Sequence, residues 1–459
     1  RRERRDAAGG GGGGGGSRRS ARDAGPDDGA DTLDKLLMGL CDATAYRDKK
    51  GRLSIIPESS WDADGWFGMS VAEGGQTLRG GGDGSGHSGA SSSSHSRNAS
   101  SGGNGGGVNP GLFKSSGLGL DGGSLRAVGA GGLVGLSLRE HVEAAARDKP
   151  QESFARYMRD LYGRILRLIN SPDLRHRLGG VYAIDQLTDV KMGENVGKIN
   201  RFATYLRDVF TATCEPQLAV AASRALGHLV AVGGALTADI VELEVKRSLE
   251  WLHATDRVEA RRYAAVLILR ELASNAPTVF NVHVPAFIHA IWPALRDPRL
   301  TVREAAVRAL RECLVVIEQR ETRYRVQWYY KLYEETQGGL LAKGANVEQV
   351  HGSLLAFGEL LRHTGEFMLS RYKEVAETVL RLHESRERIV RRSVTELIPK
   401  LAAFSPRRFA ETYLSASASL LLGTIRSPIE RDAGFTAIGD LAAALAEEDD
   451  DDDDDDDDD

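Results

Sequence analysis

Residues 290–310 read AIWPALRDPRLTVREAAVRAL. An apolar segment ends at Asp297-Pro298, and a second one opens at Val302-Arg303. Nine residues of that second segment, AAVRALREC (305–313), set a template: small residues first, an apolar pair at positions five and six, an apolar residue at nine. The same shape returns as GGVYAIDQL from Gly179, AASRALGHL from Ala221, AAVLILREL from Ala264, GSLLAFGEL from Gly352, SVTELIPKL from Ser393 and AGFTAIGDL from Ala433. The starts are separated by steps of 42, 43, 41, 47, 41 and 40 residues. Self-similarity at a nearly fixed period of this size is the mark of stacked helical units.

The flanks of the template repeat as well. Eight residues before the start stand Ser171, Thr213, Asp256, Asp297 and Ser385. Their side chains accept hydrogen bonds from the free N–H groups of a helix's first turn, so they are expected to be helix caps. Pro172 and Pro298 follow two of them, where a missing N–H costs nothing. Two residues before the start stand Arg177, Arg262, Arg303, Arg391 and Arg431. Arginine at one register of a stack sets guanidinium groups in a row, each able to bond a carboxylate or a helix-end carbonyl of the adjoining unit. A first helix precedes each of these second helices; examples are 236–252, 285–295 and 409–422. The fold class predicted is all-α: a HEAT/armadillo-like α-solenoid of about seven helix pairs over 136–446. The copy at 352 departs most. Gly344 and Val350 take the cap and arginine places, and the step of 47 predicts an insertion around 337–346.

Outside that span the composition changes. Of the 459 residues 53 are glycine, and Gly9 to Gly16 is an unbroken run. The stretch 79–108 is almost pure Gly, Ser and Asn, which cannot bury enough apolar surface to offset chain entropy. Residues 1–135 are therefore predicted to be a mostly disordered arm, with a short helix near 32–41. Glu447 to Asp459 are consecutive acids that repel one another, a poly-acidic tail. The formal net charge of −6 owes its sign to that tail; without it the balance is mildly positive, which is weak evidence for nucleic acid. The start at Arg1 and the homopolymer end both suggest a fragment, and the absence of a polar capping repeat after Leu445 suggests a longer native chain.

Cys41, Cys214 and Cys313 are far apart and odd in number, with no CxxC, which points to reduced thiols in a cytosolic setting. No run approaches a membrane span, and no secretory signal opens the chain, so Asn98 in NAS is read as serine-rich linker, not a glycan site. The sequence holds no HExxH, GxxxxGK[ST] or GxSxG, and neither the HRD nor the DFG motif of protein kinases. No catalytic, cofactor-binding or metal-ligating residue is assigned. His283 and His289 are poorly spaced for a metal on one helix, and Cys313 fills a template position that is leucine elsewhere, a packing role. Ser20 and Ser100 follow arginines and carry only a weak phosphorylation signal. The stretch RETRYRVQWYYKLYEE (320–335) interleaves basic and aromatic residues. Base stacking is one reading; a packed helix presenting a protein contact is favoured, because Glu318, Glu321, Glu334 and Glu335 would repel phosphates. Arg323, Arg325, Trp328 and Tyr329 are the candidate partner surface.

Three long stretches carry a resemblance. DRVEARRYAAVLILRELASNAPTVFNVHVPAFIHAIWPALRDPRLTVREAAVRALREC (256–313), GGVYAIDQLTDVKMGENVGKINRFATYLRDVF (179–210) and QRETRYRVQWYYKLYEETQGGL (319–340) closely resemble the N-terminal HEAT region of target-of-rapamycin (TOR) kinases. The likeness runs from about 150 to 446; the arm and the acidic tail have no counterpart. It implies a giant serine/threonine kinase, related to lipid kinases, that couples nutrient and growth-factor status to protein synthesis within large dimeric complexes. Its N-terminal superhelix is non-catalytic and helps hold a Raptor-type substrate-recruiting subunit. The rapamycin- and ATP-binding segments are missing here, so ATP and Mg are expected only in the family's kinase domain, and no catalytic residue carries over. The implied setting is cytoplasmic, with endomembrane association through partners. Two other readings stand beside this scaffold: a free-standing HEAT adaptor, and a nucleic-acid-binding HEAT protein whose affinity would fall steeply with salt.

Overall fold

The computed structural model describes residues 28–43, 46–47, 53–54, 137–191, 195–256, 258–320 and 323–446. The acidic tail, Ser20, Asn98 and Ser100 lie outside the described residues, as does most of the arm. Within the arm, the helix expected near 32–41 is α1 (Asp28–Ala43), followed by a minimal antiparallel ladder of β1 (Tyr46–Arg47) and β2 (Leu53–Ser54).

The remaining elements are helical. A lead-in helix, α2 (Leu138–Asp148), starts at Ser137, whose Oγ accepts from Glu140 N while the Glu140 carboxylate accepts from Ser137 N. Helix pairs follow: α3 (Gln151–Ile169) with α4 (Leu174–Thr188), α5 (Asn195–Val209) with α6 (Pro216–Gly233), and α7 (Ala238–His253) with α8 (Glu259–Asn275). In the fourth pair the first member is three short pieces, α9 (Pro277–Phe280), α10 (Val284–Ala290) and α11 (Trp292–Leu295), before α12 (Leu300–Glu318). Then come α13 (Arg325–Leu341) with α14 (Val347–His363), and α15 (Glu366–Leu369) and α16 (Tyr372–Arg381) with α17 (Arg388–Phe404). The last unit is α18 (Pro406–Thr412) and α19 (Leu414–Arg426) with α20 (Arg431–Ala446).

The template copies are the second helices α4, α6, α8, α12, α14, α17 and α20, and each packs on the next in that order. Positions five, six and nine supply the seam: Ala309, Leu310 and Cys313 on α12, like Ile268, Leu269 and Leu272 on α8, are fully buried. The fold is thus an all-α, HEAT-like solenoid, and one apolar core runs through the whole stack.

Two first helices depart from the expected continuous segments. The stretch 285–295 is interrupted because Pro293 sits at the opening of a new piece, as Pro277 and Pro285 do before it, where a ring without an N–H begins a helix more readily than it continues one. The stretch 409–422 breaks at Tyr413. The insertion expected around 337–346 is partly helical: α13 continues to Leu341, and the loop then turns at Gly344, with φ +80°, before the true cap, Asn346, accepts from Gln349 N at 2.8 Å. By composition Pro216–His253 is long and apolar enough to cross a membrane. It turns at Gly234, with φ +52°, and α6 and α7 bury Leu218, Leu226, Leu229, Val241 and Val245 within the stack.

One buried cation closes a helix end. Lys198, 4% exposed, donates to the carbonyls of Leu187, Thr188 and Val190 at 3.2, 2.7 and 2.6 Å, satisfying the free C-terminus of α4. Burial lowers its pKa. Lys198→Met would strand those carbonyls, and a loss on the order of 2 kcal/mol is expected in thermal unfolding; an unaltered melt would mean water replaces the ammonium.

Candidate interaction surface

Four of the five register arginines, all but Arg431, reach from one unit to the next. Arg177 Nη1 donates to Glu215 at 3.0 Å and its Nη2 to the Val209 carbonyl at 3.3 Å, so α4 is tied to the chain entering α6. Arg262 on α8 bonds Asp297 at 2.5 Å. Arg303 on α12 donates to the carbonyls of Asp297 and Pro298 and, through Nε, to His351 Nδ1 on α14 at 3.0 Å. Arg391 on α17 holds the carbonyls of Ser385 and Arg386 and reaches Glu430, ahead of α20, at 2.8 Å. Arg431 turns back to the Ile425 carbonyl at the end of α19.

The expected caps are not caps. Ser171, Asp256, Asp297 and Ser385 each accept from the N–H two residues on, at Asp173, Val258, Arg299 and Glu387. Those later residues occupy the cap positions of α4, α8, α12 and α17. The side chain closes a small turn that aims the chain into the helix, the bond Asp and Ser make to their own backbone. Thr213 is exposed, two residues before the cap residue Glu215 of α6.

A second charged seam, at template positions seven and eight, is one that the sequence reading misses. His228 on α6 sits between Asp185 at 2.8 Å and Asp189 at 3.1 Å. Burial disfavours its charge, yet the two carboxylates outweigh that and hold its pKa above the usual value. On α8, Arg270 pairs with Glu271, and Glu312 on α12 is pushed up by burial while Arg270 pulls it down. Arg311 donates twice to Glu359 on α14, at 2.8 Å for each bond. Burial alone would raise the pKa of Glu359, 1% exposed; Arg311, Lys400 on α17 and Arg362 reverse the sign and hold it low. The residue types change from copy to copy (Asp, His, Arg, Glu, Lys), but a polar residue at one register is the available signal. Glu359→Gln is expected to cost about 2–3 kcal/mol, because Arg311 loses its charged partner. Glu242→Gln, at the exposed pair with Lys246, should leave the melt unchanged. Equal effects would remove any special role for the seam.

His351 supplies a pH dependence. It is 4% exposed, and burial together with Arg303 pushes its pKa down to about 4. The unfolded histidine, near 6.5, binds a proton that the folded one refuses, so stability falls as pH drops from about 6.5 toward 4. Between about pH 7 and 5 the contribution is on the order of 2 kcal/mol. His351→Gln should flatten that part of a stability–pH curve; an unchanged curve would contradict the assignment.

The aromatic helix faces differently from the expectation. Tyr329 is buried, with its hydroxyl donating to the His363 carbonyl at 3.2 Å, and so cannot belong to a partner surface. Tyr329, Leu332 and Tyr333 share the inward face at helical spacing. Trp328 is half-buried and stacks on Tyr324 at 6.3 Å between centroids. Arg325 is half-buried too, and Arg323 lies over the Tyr324 ring at 4.9 Å. The open residues include Arg323, Tyr324, Val326 and Tyr330, the last three 46%, 60% and 46% exposed. Base stacking needs free ring faces, and Tyr329 and Trp328 are engaged inside the stack or against it. Beside this helix a cleft of about 500 Å³ is lined by His289, Trp292, Arg296, Lys331 and Glu335. Its charges are mixed: Lys331 donates to His289 at 2.9 Å and Arg296 pairs with Glu335 at 3.2 Å. Cys41, Cys214 and Cys313 are buried, and no group of three metal-ligating side chains occurs among the described residues.

Comparison with known proteins fits this geometry. Residues 259–312, which run from the start of α8 into α12, match the family model described as a HEAT-like repeat. The chain is 56% identical over 310 residues to the serine/threonine-protein kinase TOR of Arabidopsis thaliana, covering 68% of this chain and 12% of that protein. To TOR of Oryza sativa subsp. japonica it is 53% identical over 313 residues, covering 68% and 13%, and to tor1 of Schizosaccharomyces pombe 37% over 310, again 68% and 13%. The chain thus spans about an eighth of the length of these relatives. Kap121p bound to RanGTP is similar with a TM-score of 0.44 and 11% identity, covering 67% of this chain and 33% of that one, too loose a likeness to carry an argument. With the repeat geometry and this identity together, the chain belongs to the TOR serine/threonine kinase family, as its N-terminal HEAT-repeat region.

Proposed function

We propose that this solenoid is the non-catalytic scaffold of a TOR-type kinase and holds a Raptor-type, substrate-recruiting subunit within a dimeric nutrient- and growth-signalling complex. The observation that carries the reading is the 56% identity to a TOR kinase over 310 residues. The stacked helices give such a scaffold an extended row of side chains suited to a long protein contact. On this reading ATP and Mg²⁺ belong to the kinase domain of the whole protein. The complex works in the cytoplasm and meets endomembranes through its partners. Arg323, Tyr324, Val326 and Tyr330 form the part of the surface proposed to meet the subunit, since aromatic and arginine side chains open to solvent are the usual anchors of such contacts. The test is binding of the purified Raptor-type subunit to the immobilised full chain. Retention is expected, with roughly a tenfold loss or more for Tyr324→Glu combined with Tyr330→Glu. No retention of the subunit by the unaltered chain would overturn the reading; equal retention by the variant would move the contact elsewhere on the solenoid.

A further inference from the structure

Helix α1 lies far from the repeats in sequence but not in space. It packs on α4 and also touches α2, with Leu33, Leu37 and Cys41 each 2% exposed and Leu40 7%. The approach is close enough to involve backbone: a Cβ at Gly179 would collide with the Cys41 sulfur and lie 3.1 Å from its Cα and amide nitrogen. Gly180 faces the other way, where a Cβ would meet Ile169 at the end of α3. The pair Gly179-Gly180 therefore serves two neighbours, one on each side. An ion pair between Asp34 and Arg164 of α3 adds a polar tie, and Arg164 is steadied by Asp160 at 2.9 Å.

The sequence of α1 follows the template only in part. TLDKLLMGL, from Thr32, carries the apolar pair at positions five and six and the apolar residue at nine that define the second helices. Leu37 and Leu40, at positions six and nine, are buried, as are Ile184 and Leu187 at the same positions of α4. The direction differs, however: Cys41, near the end of α1, lies at Gly179, near the start of α4, while Asp34 reaches Arg164. Thus α1 runs antiparallel to α4, whereas successive second helices run parallel, with Asp185 of α4 beside His228 of α6.

We propose that α1, separated from the stack in sequence by residues 44–136, is seated on it as a separately docking helix, so that the face of α4 around Gly179 is a binding site for an amphipathic helix and its occupant is α1 of the same chain. A helix held by its own apolar face needs no covalent continuity to stay in place. The pattern of Leu33, Leu37 and Leu40, spaced by four and three, is that of a helix lying in a groove.

The experiment uses the full chain with a site-specific protease sequence placed between residues 90 and 100 and an affinity tag at the N-terminus. After cleavage of the folded protein, the N-terminal piece is expected to retain the solenoid on the tag resin at micromolar concentration. Leu37→Asp with Leu40→Asp should weaken retention roughly tenfold or more, and Gly179→Leu should do the same from the other side. Because Gly179→Leu also alters α4 itself, the two aspartates, which lie on α1 alone, decide the matter. Separation of the unaltered pieces, or undiminished retention with both aspartates present, would overturn the proposal. A dimeric mass of the uncut chain that reverts to monomer with the aspartates would overturn the assignment of α1 to its own chain.

Discussion

Gly352→Leu is expected to destabilise the solenoid by about 4 kcal/mol, near the upper end of what overpacking does. Gly352 opens the template on α14, and a Cβ there would fall on the carbonyl oxygen of Leu295, at the end of α11. The obstacle is backbone, which cannot rotate away as a side chain can. The next residue, Ser353, lies just as close against Gly339 of α13, so α14 has little room in which to shift. Even Gly352→Ala should be strongly unfavourable. Gly338→Ala is the control, since a Cβ there meets nothing within 4 Å, and it should be neutral or slightly stabilising. Thermal unfolding followed by circular dichroism separates these results; a tolerated Gly352→Leu would mean that α14 does not approach α11 in this way.

The double substitution of Arg262→Met with Arg303→Met is the other large effect, about 4–5 kcal/mol. Both side chains converge on Asp297, which is 2% exposed: Arg262 on its carboxylate and Arg303, itself 4% exposed, on its carbonyl. Removing them leaves a buried carboxylate held by the Arg299 amide, at 2.9 Å, and it leaves His351 without the guanidinium it faces. The two losses share one partner and should not add independently. Because these bonds run from α8 to the entry of α12 and from α12 to α14, their loss also weakens coupling between units. The melting transition should broaden as well as shift by roughly 10 °C. An unaltered curve would mean that the arginine row serves solvent or a partner.

The repeat, its period and its second helices are legible in the sequence because they rest on apolar spacing, which the core imposes on every copy. The cap positions read two residues early for an equally physical reason. Asp297-Pro298 resembles a cap followed by a first-turn proline, whereas the carboxylate closes onto Arg299 and the helix starts at Leu300. Tyr329 reads as part of a surface because aromatic residues crowd 324–330; only the phase of α13 shows that Tyr330 points out and Tyr329 in. The seam through His228, Arg270, Arg311 and Glu359 is hard to see because its chemistry alternates in type while its register stays fixed.

The central claim is that these repeats are part of a TOR-type kinase, and it is tested most directly by an immunoblot of native lysate with an antibody raised against residues 256–313. The account expects a band several times heavier than the 49.6 kDa of this chain, reactive also with an antibody to a protein-kinase catalytic domain of the TOR type. A single band near 49.6 kDa would contradict it and leave a free-standing HEAT protein in its place.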